Sequence, residues 1–271
     1  MRSHSKGTAL VTGASSGIGA IYADRLARRG HGLILVARSR GRLDSLARRL
    51  RGETGQTVEV VTADLNDRLD LGFVETILRT ERSIRILVNC AGVSAASNLL
   101  TSDVNEMDEM IGLNVTALTR LTYAAAPGLV ARGGGAIVNI ASVVGLTPEV
   151  LNGVYGATKA FVLAFSLSLH KELADKNVRI QAVLPGATAT DRWAKMGVPV
   201  RHLPREIVMQ ADDMVDAALA GLEQGELVTI PSLPNAADWH AFEAARQKLI
   251  PNLSLNVPAA RYRVRANMGC V

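Results

Sequence analysis

The chain has 271 residues, 48% of them hydrophobic and 20% charged, with a formal net charge of +5. A chain of this size buries most of its apolar surface without metals or disulfides, and its composition excludes a disordered or low-complexity protein. Its basic residues are spread along helical stretches, as at Arg28-Arg29, Arg48-Arg49 and Arg51. No basic run interleaves with aromatic residues, so no nucleic-acid partner is expected.

No apolar run reaches the roughly 18 residues that a membrane helix needs, so no membrane partner is expected. Met1 to Gly7 carries no apolar signal region, and a cytoplasmic protein is expected. Cys90 ends a buried strand pattern and Cys270 lies next to the C-terminus, so neither reads as part of a disulfide framework. The histidines (His4, His31, His170, His202, His240) show no metal-ligand spacing, and no metal is expected in the chemistry.

In chain order, Thr8 to Thr12 is a short apolar run that ends in a glycine-rich turn. An amphipathic helix pattern follows to Arg29, with Gly30 as its stop. Gly32 to Ala37 reads as a second buried strand, followed by a helix from Ser39 as N-cap to Arg51. Strands at Thr57–Thr62 and Ile84–Asn89 flank a helix that runs to Arg82. A long helix from Asp103 to Leu129, a strand at Gly134–Ala141, a helix to Asp175 and a strand at Val178–Leu184 complete the regular part. The segment 187–210, with Trp193, Met196 and Pro199, reads as a lid. A helix at Asp212–Gln224, a strand at Leu227–Ile230 and a helix at Ala236–Leu249 lead into a basic tail.

Strands that are apolar on both faces and alternate with helices predict a parallel sheet covered on both sides. The fold class expected is therefore α/β: a Rossmann-type doubly wound parallel sheet in a single domain, with no boundary placed along the chain.

Gly13-x-x-x-Gly17-x-Gly19 stands after the first strand and opens the first helix, where a phosphate loop belongs. The same stretch, Gly13-Ala-Ser15-Ser-Gly17, also fits the Gly-x-Ser-x-Gly elbow of a serine hydrolase. That reading lacks an upstream oxyanion loop and leaves Tyr155 and Lys159 without a role. Beyond the second strand, Arg38 follows neutral Ala37, which suits a ribose 2′-phosphate and favours NADP(H) over NAD(H). Tyr155 and Lys159 are four apart, one helical turn, on one face. A free phenol ionises only near pH 10 or so, and an ammonium one turn away favours the phenolate. Ser142 could hydrogen-bond a substrate oxygen that the tyrosine protonates or deprotonates.

Together these residues resemble the short-chain dehydrogenase/reductase family over roughly residues 8 to 190. Thr12-Gly13-Ala-Ser15-Ser16-Gly17-Ile18-Gly19 is similar to its cofactor loop, and Asp64-Leu65 to its adenine-contacting pair. Asn89-Cys90-Ala91-Gly92 resembles its Asn-Asn-Ala-Gly motif, with cysteine in place of the second asparagine. Asn114, Ser142, Tyr155 and Lys159 match the catalytic tetrad, while Pro185, Gly186, Thr188 and Thr190 fall in the nicotinamide-side motif. The resemblance implies hydride transfer between a nicotinamide and a carbonyl or secondary alcohol. Ser142 would hold the substrate oxygen and Tyr155 would act as general acid or base. Lys159 would bind the nicotinamide ribose, and Asn114 would support a water-linked proton path to Lys159. Val143, Val144, Leu151, Asn152, Ala187 and the segment at Trp193 and Met196 are expected to line an apolar substrate site. In this family the helices at 103–129 and 154–175 pair between subunits, so a homodimer or homotetramer is expected. The alternative is a non-enzymatic dinucleotide-binding or scaffold protein of the same fold.

Overall fold

Apolar runs that meet no water on either side become the central strands of the fold. The computed structural model describes residues 6–191, 193 and 200–262. The strands are β1 (Thr8–Thr12), β2 (Gly32–Ala37), β3 (Val58–Thr62), β4 (Ile84–Asn89), β5 (Gly135–Ile140) and β6 (Val178–Val183). The helices between them are α1 (Gly17–Arg28), α2 (Arg40–Thr54), α3 (Arg68–Thr80), α4 (Val104–Ile111), α5 (Leu118–Ala131) and α6 (Gly153–Leu173). Short strands β7 (Thr188–Ala189) and β8 (Met209–Gln210) come next, then α7 (Ala211–Gln224) and β9 (Val228–Thr229). With β9 at its edge, the sheet has seven parallel strands in the order β3-β2-β1-β4-β5-β6-β9.

Side chains alternate across the pleat, so each strand feeds two cores. Ala9, Val11, Leu33 and Leu35 pack with α1, α2 and α7 on one face. Leu10, Ile34 and Val36 pack with α3, α5 and α6 on the other. This doubly covered parallel sheet is the Rossmann-type architecture that the strand–helix alternation predicts.

Element ends agree with the sequence reading to within a few residues, with two informative differences. The helix expected over 103–129 is interrupted by a π-helical segment at Gly112–Ala117, which joins α4 to α5 and carries Asn114. The segment expected to be a lid contains β7 and β8, paired in parallel at Thr188↔Met209 and Ala189↔Gln210. Met196 and Pro199 lie outside the described residues, as does Cys270.

The sheet and its helices make up one compact unit that ends at Ser232, and residues from Leu233 onward form a second. In the second unit, α8 (Ala236–Leu249) is capped by Asn235, whose side chain accepts from the Ala237 amide at 3.0 Å. Trp239 and Phe242 stack along it, with ring centroids 5.5 Å apart.

Candidate active site

The chain order of the strands reverses between β1 and β4, and such a switch point opens a crevice at the strand C-termini. Two turns meet there. Gly13 leaves β1 at φ 66°, and a Cβ on it would stand 2.9 Å from the Ala91 Cα in the turn after β4. Thr12 stitches the turns together: its Oγ1 accepts from the Cys90 and Ala91 amides, each at 3.0 Å, and donates to the Val88 carbonyl at 3.2 Å. Gly17, at φ 53°, faces Thr190, and a Cβ on Gly19 would strike the Gly13 carbonyl. Glycine is therefore required at three points of this loop.

The loop opens α1 with free donors. Ser16, the N-cap, makes no side-chain capping bond, and the first turn holds no acidic residue. The orphan N–H groups and the helix dipole suit an anion such as a dinucleotide pyrophosphate. Ser15 and Ile18 are half-buried, and Ile18 packs on the core. At the end of β2, Arg38 is 74% exposed and lies 3.6 Å from the Asp64 carboxylate. Leu65 is buried in the core, so its side chain is committed to packing.

The residues of the expected tetrad converge from three elements. Lys159, buried on α6, donates from Nζ to the Ile140 carbonyl at 2.8 Å, at the end of β5. The same Nζ lies 5.9 Å from the centroid of the Tyr155 ring. Ser142, two residues beyond Ile140, donates to the Pro185 carbonyl at 3.2 Å and accepts from the Val144 amide at 3.3 Å. Asn114 is buried on the π-helical segment and clasps Val93 in both directions: Oδ1 accepts from its amide and Nδ2 donates to its carbonyl, each at 2.9 Å. Asn114 Nδ2 also donates to Thr158 Oγ1 at 3.1 Å, and that hydroxyl donates to the Tyr155 carbonyl at 2.8 Å. A Cβ on Gly92 would meet Asn114 Oδ1 at 2.9 Å and Lys159 Nζ at 3.8 Å, so the turn after β4 touches both.

Asn89 takes a scaffold position. It is buried, pairs in register with Asn139, and donates to Asn139 Oδ1 at 2.9 Å and Thr122 Oγ1 at 3.1 Å. Asn139 passes the network on to Ser166 of α6 at 3.0 Å. On the far wall, Pro185 and Thr188 are buried, and Thr188 Oγ1 donates to the Gly186 carbonyl at 3.1 Å. Trp193 Nε1 donates to the Thr188 carbonyl at 2.8 Å. On α1, burial pushes the phenol of Tyr22 far above its ordinary range, with Cys90 adding to the shift, so Tyr22 remains neutral.

Tyr155 packs in an apolar cluster with Met107, Met110 and Val144, flanked by Val93, Ala95, Leu151 and Val154. Asn152, expected to line the substrate site, is buried and uses its polar atoms on protein partners. Its place three residues before Tyr155 at a helix start is an N-cap signal that the sequence offered. Thr158 carried no comparable signal, because its partner Asn114 lies 44 positions away.

A family model described as short chain dehydrogenase matches residues 7–198. Among solved structures, the chain is similar to a short-chain dehydrogenase from Sphingobium yanoikuyae in complex with NADPH. The two share 51% identity over 95% of this chain and 100% of that one, with a TM-score of 0.92. It is also similar to a bulky-bulky ketone specific alcohol dehydrogenase from Comamonas testosteroni, at 47% identity over 96% and 99% of the two chains and a TM-score of 0.88. Among sequence relatives, human very-long-chain 3-oxoacyl-CoA reductase is 36% identical over 72% of this chain and 64% of its own length. Family model, fold and motif positions agree: the chain belongs to the short-chain dehydrogenase family of oxidoreductases.

Proposed function

We propose that the protein is an NADP(H)-dependent carbonyl reductase for ketones with bulky apolar substituents, with Tyr155 as its proton donor. The observation that carries this reading is the buried Lys159, held between the end of β5 and the Tyr155 ring. An ammonium one turn from a tyrosine can stabilise the phenolate that proton donation leaves, a capacity for which a scaffold protein has no use. The glycine loop and the open N-terminus of α1 suit the pyrophosphate of NADP(H), Arg38 suits its 2′-phosphate, and the Sphingobium relative was solved with NADPH.

Bound NADPH supplies the hydride. Ser142 turns its hydroxyl from Pro185 to the substrate oxygen and fixes the carbonyl carbon for attack. Tyr155 gives its phenolic proton to that oxygen as the alcohol forms, and the Lys159 cation stabilises the phenolate left behind. Asn114 holds the turn at Val93 and supports a water-linked path that returns the proton through Lys159. In the oxidative direction Tyr155 takes the proton. The apolar cluster of Met107, Met110 and Val144 beside Tyr155 supports an apolar substrate, as does similarity to the Comamonas enzyme, whose description names bulky ketones.

We further infer a homodimer or homotetramer. A cavity of about 310 Å³ lined by Ile111, Val115, Gly153, Val154, Ala157 and Thr158 opens on the α4–α6 face. Ile111, Tyr123 and Phe161 are exposed. No described helix is long and apolar enough to cross a membrane. Cys90, a thiol rather than half of a disulfide, suits the reducing cytoplasm that we assign to the protein.

The test is titration with NADPH and NADH by cofactor fluorescence, then reduction of butyrophenone by wild-type protein and Tyr155→Phe. NADPH should bind at least about tenfold tighter, and the variant should lose on the order of 10²-fold or more in kcat with NADPH affinity kept. Turnover retained by Tyr155→Phe would remove the assignment. Equal binding of the two cofactors would remove the NADP(H) preference.

A further inference from the structure

Tyr155 stands in the first turn of α6, and its own amide is held by the side chain of Asn152. The residue is 5% exposed, and its side chain works in two directions. Its Oδ1 accepts from the Val154 amide at 2.9 Å and the Tyr155 amide at 3.2 Å. Its Nδ2 donates to the Ser97 carbonyl at 2.6 Å and to Ser102 Oγ at 3.2 Å.

Ser97 and Ser102 close a built turn. The Thr101 and Ser102 amides reach the Asn98 carbonyl at 3.1 and 3.0 Å, and the Ser97 and Ser102 hydroxyls lie 2.9 Å apart. The turn projects Leu99 and Leu100, 88% and 93% exposed, although both are apolar. Its two ends run into residues that pack with Tyr155: Val93 and Ala95 before it, Met107 and Met110 after it. A primary amide offers one acceptor and two donors on a short stem, so it can serve helix and turn together. Aspartate keeps the acceptors and loses the donors, whereas alanine keeps neither.

We propose that Asn152 is a positioning residue that holds Tyr155 and the Ser97–Ser102 turn in one fixed arrangement. The inference rests on Tyr155 being the proton donor, and it adds a specific demand: helix capping alone is insufficient for turnover.

The experiment compares full-length wild-type protein, Asn152→Asp, Asn152→Ala and Tyr155→Phe in NADPH-dependent reduction of butyrophenone, with thermal midpoints and NADPH affinities measured in parallel. Asn152→Asp should fold with a lowered midpoint and bind NADPH within about twofold, yet lose about tenfold in kcat with a displaced pH–rate profile. Asn152→Ala should lose both midpoint and kcat; if it does not fold, Asn152→Asp decides. Wild-type kcat and pH profile in Asn152→Asp, with Tyr155→Phe inactive, would reduce Asn152 to a helix cap and overturn the proposal. An active Tyr155→Phe would instead sink the proton-donor reading, and the proposal with it.

Discussion

The proposed cofactor preference rests on one exposed side chain, Arg38. At 3.6 Å from Asp64 the pair is loose and solvated, so the guanidinium can exchange that carboxylate for a phosphate at little cost. Arg38→Asp should weaken NADPH binding by about tenfold or more and leave NADH nearly unchanged, as competitive titration would show. Glu75 is the buried counterpart, its side chain 4% exposed and bonded to Arg79 and Arg120 at 2.6 and 2.5 Å. Burial pushes its carboxyl toward the neutral form, but the two arginines outweigh this and hold its pKa below the ordinary value. A lowered folded pKa means that the stabilisation is complete above the unfolded value and is lost as pH falls through the folded one. Glu75→Gln should therefore cost about 1–3 kcal/mol at neutral pH and flatten the acid limb of the stability curve in denaturant titrations.

Among the elements, the π-helical segment matters most. A single wider turn changes the angle at which following side chains leave a helix, and π segments recur at functional sites. Here it presents Asn114 to the Val93 backbone, and through Thr158 to α6. Asn114→Ala would leave the Val93 amide and carbonyl without their partner and release the turn that approaches Lys159. Its kcat should fall on the order of tenfold or more, with accelerated hydrogen exchange over 90–95. The α1 helix is tied differently: Asp24 accepts from Arg25, Arg28 and Arg49, and Arg25 reaches Asp212 and Asp216 of α7. Burial opposes the charge on Asp24, yet the arginines keep its pKa low, so this clasp also weakens only in acid.

At the scale of the whole molecule, the α4–α6 face and the neighbouring α5 leave Ile111, Phe161 and Tyr123 exposed. Phe161 stacks on Phe165 at 5.7 Å, and Phe165 on Tyr123 at 6.3 Å, forming an aromatic row open to solvent at both ends. Exposed apolar ground of this kind marks association. Light scattering should give a multiple of the 28.8 kDa chain mass, and Phe161→Glu should shift it toward the monomer. A wild-type monomer at micromolar concentration would remove the oligomer assignment.

Much of this protein was legible in short windows of its sequence. Strand–helix alternation gave the parallel sheet, because a strand buried on both faces has no polar side to show. The glycine spacing gave the loop, because left-handed backbone and close approach exclude other residues at Gly13 and Gly17. The four-residue spacing put Tyr155 and Lys159 on one helix face. Tertiary structure alone decided what lies between such windows. The π turn under Asn114 has no propensity signature, and the β7–β8 pair is too short for a period. Asn152 announces its cap locally, but its bonds to Ser97 and Ser102 join residues 55 and 50 positions away. Periodicity records which face of an element is buried; it does not record which distant backbone atom a polar side chain will meet there.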